Sequence, residues 1–395
     1  MGNPNITSTS SFTTDYSADT LFTERDLKQE ADLSEAKAIT LSDGQSVSVN
    51  EEGVYVLSGS AKNATVIVEA DDSAKVQLVL DGLNVTNDDY PVIYVKSADK
   101  VFITLNGENY LAVTGSFKTD GSEELDAAIY AKDDITLNGN GSLTVKSTVN
   151  GITGKDDLKI TGGSYDITAG NHGIKGKDSV RIYDGSFTIN AGKDGIHSSN
   201  DSDEGKGYIY IAGGSYDITA KSDGIQSVTV LQIDDGDITI KGAEGLESTY
   251  VLVNGGKVNI SASDDGINAS LKGTSGTPTI MLNGGEVTVK MGVGDTDALD
   301  ANGNLYIKGG TVKISAQLAF DYDGEGVLSG GTVYVNDQQV TTITNSMNNG
   351  GGFGGRGGGF NPGENPGGNQ NTDPRGNKPE RPGRNNNSQE ESQNF

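Results

Sequence analysis

The sequence predicts an all-β fold, a right-handed single-stranded parallel β-helix (a solenoid of about 22 residues per coil), and three observations predict it. A polar residue followed by Gly or Ala and then Ile or Leu recurs at Asn150, His172, Asp194, Asp223, Glu244, Asp265 and Asp297, at steps of 22, 22, 29, 21, 21 and 32. Two apolar columns run in phase with it, Leu143, Tyr165, Phe187, Tyr216, Ile238, Val258, Val287 and Val312, then Val145, Ile167, Ile189, Ile218, Ile240, Ile260, Val289 and Ile314. The residues between these columns are almost all polar, and strict alternation with β-branched residues marks a strand with one buried face. No helical period separates the strands, which excludes a doubly wound α/β chain, and one long strand plus one short strand per unit is too little for a propeller blade.

Residues 1–40 read as a leader or cap, with a helical turn or two over 24–37 covering the open end of the stack. Residues 41–345 read as the β-helix. It opens with less regular coils such as Val54-Tyr-Val-Leu and Val101-Phe-Ile-Thr-Leu, and its two long steps hold loops around 200–207 and 272–277. Residues 346–395 read as a disordered tail: from Gly350 on there is no Ile, Leu, Val or Ala, and five of the eight prolines lie there. Such a composition cannot bury enough apolar surface to offset chain entropy. The five basic and five acidic residues of this stretch cancel, so the excess negative charge belongs to the part that folds.

That excess is large: 29 Lys and Arg against 55 Asp and Glu give a net charge of −26 over 395 residues. It repels phosphate backbones and anionic lipid, which argues against a nucleic-acid partner, and it favours cations. No run of 18 apolar residues provides a membrane-spanning segment. The chain has no Cys, hence no disulfide or thiol chemistry. Met1-Gly2-Asn3-Pro4 lacks the basic and apolar regions of a secretory leader. The association expected is a monomer or a weak oligomer.

Stacking turns each outward column into a ladder on one face. The residue after each inward Ile or Leu gives Tyr94, Tyr130, Thr153, Lys175, His197, Gln226, Glu247, Asn268, Asp300 and Asp321. The residue before each Gly gives a parallel acidic ladder from Asp194 to Asp297. Carboxylates stacked at about 5 Å repel by about 1 kcal/mol per pair in water and more beside a low-dielectric wall. A hard cation offsets that with oxygen ligands, which suits Ca2+. The candidate ligands are Asp223, Glu244, Glu247, Asp264, Asp265, Asn268, Asp297, Asp300, Asn302, Asp321 and Asp323. For Asp194 and Asp223 the plainer reading is a tight Asp-Gly corner. With no Cys and only His172 and His197, the donor set speaks against zinc or copper. Glycan contacts are expected from Tyr94 and Tyr130 by ring stacking, and from Lys155, Lys175, Lys177 and His197 by charge. Lys155 and Lys177, with Lys132, equally suit a solvated Lys/Asp ladder.

The strings Ala128-Ile-Tyr-Ala-Lys-Asp-Asp-Ile-Thr-Leu-Asn-Gly, Gly173-Ile-Lys-Gly-Lys-Asp-Ser-Val, Asp194-Gly-Ile-His-Ser, Glu244-Gly-Leu-Glu-Ser and Asp297-Ala-Leu-Asp-Ala-Asn-Gly resemble the clostridial β-helix carbohydrate-binding domains. The resemblance covers about residues 25–345. These are surface or secreted proteins of Firmicutes, similar in fold to calcium-dependent pectate lyases. The resemblance implies a polysaccharide partner, cellulose or acidic polygalacturonate, with structural Ca2+, no turnover, and a place outside the cell or on its surface. The competing readings are a calcium-dependent pectate lyase acting by β-elimination, with Lys175 and His197 nearest the acid cluster, and a purely structural adhesin fibre.

Overall fold

The computed structural model describes Thr14, residues 16–293 and residues 296–346. Ser346 apart, the tail read as 346–395 lies outside the described residues, as do residues 1–13. Among the described residues α-helix is confined to Ala18–Leu21, and strands form sheets of 24, 12 and two members. The chain is all-β, and its two large sheets are built from parallel pairings apart from the closing hairpin of Thr332–Val335 with Gln338–Val340.

Each regular repeat supplies three strands. After Asn150 these are Asn150–Gly154, Asp157–Ile160 and Ser164–Ala169, each paired in parallel with its counterpart one repeat on, Ile174–Gly176, Ser179–Ile182 and Ser186–Ala191. The 12-stranded sheet is one such ladder; the larger sheet holds the other two, joined where Lys75–Asn87 pairs with both Lys100–Asn106 and Glu108–Val113. The expected core column is in register throughout: Val145, Ile167, Ile189, Ile218, Ile240, Ile260, Val289 and Ile314 are consecutive partners. All are buried, each burial contributing roughly 1.5 to 3 kcal/mol. Tyr165, Phe187 and Tyr216 stack inside at 5.1 and 4.8 Å between ring centroids.

The third strand is more than the sequence pattern suggested. It is four residues long and wholly buried in Asp157–Ile160, Ser179–Ile182, Tyr208–Ile211 and Val230–Ile233, because its outward face is covered too. The cover is the N-terminal segment. Tyr16 stacks on Tyr208 at 4.5 Å, and Phe22 meets Tyr183 edge-on at 5.5 Å. The fully buried Asp26 accepts from Lys159 Nζ at 2.9 Å and Thr136 Oγ1 at 3.2 Å and pairs with Lys100 Nζ at 2.5 Å. Gln29 Nε2 donates to the Thr161 carbonyl at 3.0 Å. The segment thus straps the flank across several repeats, and turns at 24–27 and 34–35 with irregular chain between them, rather than a helix, occupy most of 24–37, a correction to the end-cap expectation.

The Gly of each Gly-Ile step also differs from its reading as a corner. Gly195 and Gly224 are absent from the left-handed region; instead, a Cβ at Gly224 would lie 2.3 Å from Ile240 Cγ2 and 2.7 Å from the Gly245 carbonyl. The column is glycine because the core isoleucine of the same repeat and the next backbone close over it. True left-handed corners occur at the other Gly marker, for example Gly214 at φ 102° and Gly256 at φ 76°.

Candidate functional site

The 12-stranded ladder carries the outward columns, and their order is as the sequence implied. Tyr94, Tyr130, Thr153, Lys175, His197, Gln226, Glu247, Asn268, Asp300 and Asp321 are successive register partners. In the neighbouring column a side chain often holds the next repeat: Asn150 Oδ1 accepts the His172 N–H at 3.1 Å, Asp194 Oδ1 the Asp223 N–H at 3.2 Å, and Asp265 Oδ1 the Asp297 N–H at 3.2 Å.

The two columns meet in two clusters. In one, carboxylate oxygens of Asp223, Glu244 and Glu247 all lie within 4.8 Å of one another. Asp223 and Glu247 are each 3% exposed. Gln226 Nε2 donates to Asp223 Oδ2 at 3.0 Å and also to Glu247; Asn268 Nδ2 donates to Glu244 Oε2 at 3.1 Å and Glu247 Oε1 at 3.3 Å. Lys272, from a loop insertion, pairs with Glu247. Burial first, then the neighbouring charge of Glu247, pushes the Asp223 carboxyl up to about 8 and that of Glu244 up to about 9. Protons on Asp223 and Glu244 keep the group near balance with the single Lys272 ammonium, which could not neutralise all three carboxylates once ionised, and the amide Oδ1 of Asn268 is buried with no hydrogen bond. This all-oxygen set fits Ca2+.

In the other cluster, the His172 and His197 rings stack at 4.4 Å, and both Nδ1 atoms approach Asp194 Oδ2, at 3.1 and 3.0 Å. Burial alone would raise the Asp194 carboxyl, but the two imidazoles hold it well below the usual carboxylate range. Burial lowers His172, despite Asp194.

The remaining predicted residues do not join these clusters as one site. Asp265 and Asp297 are buried one and two repeats further along, Asp300 and Asp321 are half-buried in the outward column, and Asp264, Asn302 and Asp323 are exposed at its edge. The stacking role of Tyr94 and Tyr130 needs correction: they are 2% and 0% exposed. The non-repeating segment 114–126, through its hairpin Thr119–Asp120 and Glu123–Glu124 and through Leu125, folds over them. Tyr94 Oη donates to Asp120 Oδ2 at 3.2 Å and Tyr130 Oη to Glu123, so no ring face is left for a sugar. Lys155 Nζ lies 4.0 Å from Glu123 Oε1 and Lys175 Nζ 3.7 Å from Asp126 Oδ2, while Lys177 is exposed. Sequence reasoning missed Lys272, which sits in a loop outside the repeat, and the meeting of His172 with His197, which belong to different columns.

Residues 43–324 match the family described as carbohydrate-binding domain-containing protein. The chain belongs to this family. A carbohydrate-binding domain-containing protein of Acetivibrio thermocellus is 40% identical over 137 residues, which is 32% of this chain and 48% of that protein. The chain therefore spans about half the length of that curated relative. A solved structure, the gadolinium derivative of the polysaccharide lyase-like protein from C. thermocellum, is 34% identical with a TM-score of 0.49, covering 56% of this chain and 93% of that one. Both clusters of this carbohydrate-binding domain lie inside the matched residues. Among the described residues no helix is long and apolar enough to cross a membrane, which leaves β-barrels unaddressed.

Proposed function

We propose that this family member is a non-catalytic, calcium-stabilised carbohydrate-binding protein of the cell surface or extracellular space, folded as a right-handed parallel β-helix, and that its ligand is an acidic glycan such as polygalacturonate. The helix reading is supported by three parallel ladders that each advance by one repeat. The observation that carries the ligand reading is the Asp223, Glu244 and Glu247 cluster, three carboxylates with one ammonium, in the outward columns of a carbohydrate-binding domain. Ca2+ held there by these residues with Asn268 would supply the positive charge that a body at −26 otherwise denies an anionic polymer, whose repulsion reaches over a Debye length of about 8 Å at physiological salt. Lys175 and Lys177 lie along the same ladder and add to it. With Tyr94 and Tyr130 covered, stacking on neutral cellulose loses its platform.

The test is co-sedimentation with insoluble polygalacturonate and with cellulose, in calcium or chelator, at low and high salt. Retention on polygalacturonate should disappear with chelator and weaken with salt and in Lys175→Ala. Equal retention in chelator at high salt would defeat the calcium bridge. Unsaturated uronides absorbing in the ultraviolet in the same samples would replace binding by lyase chemistry.

A further inference from the structure

We propose that His172, Asp194 and His197 form a second metal site, one for a divalent first-row transition metal of the zinc class, beside the calcium cluster and independent of it. One ligand atom from each of the three residues lies within 4.8 Å of the other two, and His172 Nδ1 and His197 Nδ1 both face Asp194 Oδ2. A tetrahedral ion with bonds of about 2.0 to 2.1 Å sets its ligands roughly 3.4 Å apart, and the two N to O separations here are 3.1 and 3.0 Å.

A plain hydrogen-bonded triad fits less well. Both Nδ1 atoms are buried, and although each lies within hydrogen-bond distance of Asp194 Oδ2, neither makes a hydrogen bond of good geometry with it. Two buried nitrogens with unused lone-pair directions beside one carboxylate oxygen are what a metal ion between them would satisfy. The carboxylate is itself anchored, since Asp194 Oδ1 accepts the Asp223 N–H at 3.2 Å. Lys175, next to His197 in the column, opposes a cation, but its Nζ lies 3.7 Å from Asp126 Oδ2. Imidazole donors turn selectivity away from Ca2+ and toward zinc-class ions. Three protein donors leave a fourth position, and the histidine side chains, 12% and 15% exposed, border solvent on that face. A glycan oxygen or water can complete the shell there.

The probe is Co2+ added to chelator-treated full-length protein. One equivalent should give the visible absorption of a tetrahedral nitrogen and oxygen site, displaced by Zn2+ and not by equimolar Ca2+. His172→Gln and His197→Gln should weaken binding on the order of a hundredfold or more, while Glu247→Gln leaves it unchanged. That last arm separates this site from the calcium reading. The chain has two histidines, so nitrogen-15 spectra of the unmutated protein provide a test that needs no variant: Zn2+ should move the Nδ1 resonance of both. Absence of the cobalt absorption, histidine variants that titrate as the parent protein does, or unmoved Nδ1 resonances would overturn the proposal.

Discussion

Removing calcium while scanning pH tests the carboxylate cluster by a sign as well as a size. At a separation of 4.8 Å, two unit charges repel by about 3 kcal/mol at an effective dielectric of about 20. Three ionised carboxylates would therefore cost on the order of 10 kcal/mol, as much as a domain's whole stability. Without a cation the folded protein keeps protons on Asp223 and Glu244, whose carboxyls are raised to about 8 and about 9 by burial and by Glu247. The unfolded chain releases those protons near pH 4. Their contribution is thus complete below about pH 4 and is lost as pH rises through the folded values, at up to about 2.7 kcal/mol per pH unit for two protons. Calcium must displace the same protons, so its stabilising effect grows over the same window. At a hundred times its dissociation constant it adds about 2.7 kcal/mol. With about 2.1 cal/mol/K per residue over the 330 or so described residues, that is a rise in Tm of about 4 °C. Calorimetry from about pH 5 to about pH 9, with calcium or chelator and with Glu247→Gln alongside, reads both. A chelated protein whose Tm is flat or rises across that range, or a Glu247→Gln variant with the full calcium shift, would refute the reasoning.

Asp26→Asn leaves Lys159 and Lys100 without their buried partner and should cost about 3 to 5 kcal/mol, seen as early proteolytic release of the 16–30 strap; unchanged protease resistance would contradict it. Because its lysine partners hold the Asp26 carboxyl below the usual range against the cost of burial, that stability should be present above about pH 4 and fade as pH falls further. Gly224→Ala should destabilise by about 1 to 3 kcal/mol in urea unfolding through its contacts with Ile240 and Gly245, whereas Gly273→Ala, with only a 3.5 Å neighbour, should be neutral. Gln226→Lys puts an ammonium where Asp223 and Glu247 now accept an amide; the calcium-dependent Tm shift should vanish, and a full shift would show that calcium is held elsewhere.

What the sequence made legible is whatever the repeat itself determines. Alternation tells which face a residue takes, and repetition tells which residues stack, so Ile218 found its neighbours and Glu247 its column from spacing alone. What escaped depends on segments outside the repeat. Tyr130 is outward by register yet buried, because 114–126 folds back over it. The third strand escaped because burial on both faces, under the N-terminal strap, replaced alternation. The Gly column was legible in position and misread in cause, since a crowded core and a left-handed corner both select glycine, and only the absence of a positive φ separates them at Gly224.

A ladder also explains why charge gathers where it does. In-register stacking places like beside like, so an unbroken acidic column grows more costly with every repeat. Up to Asp300 the outward column avoids this with amides: Gln226 stands between His197 and Glu247, and Asn268 between Glu247 and Asp300, whereas Asp300 and Asp321 meet directly. Each amide donates to a flanking carboxylate. The neighbouring column has no such spacers from Asp194 through Asp223 and Glu244 to Asp265. Its repulsion is relieved at one end by two imidazoles on Asp194 and at the centre, among the described residues, by Lys272 and the amides. The charge deficit is greatest where Glu247 of the spaced column meets Asp223 and Glu244 of the unspaced one. A protein selected for stability alone would carry a lysine at one of these positions; keeping three carboxylates there leaves their charge to be met either by protons or by a cation, and under the proposed calcium reading it is the exchange of the one for the other that would couple this face to an anionic glycan.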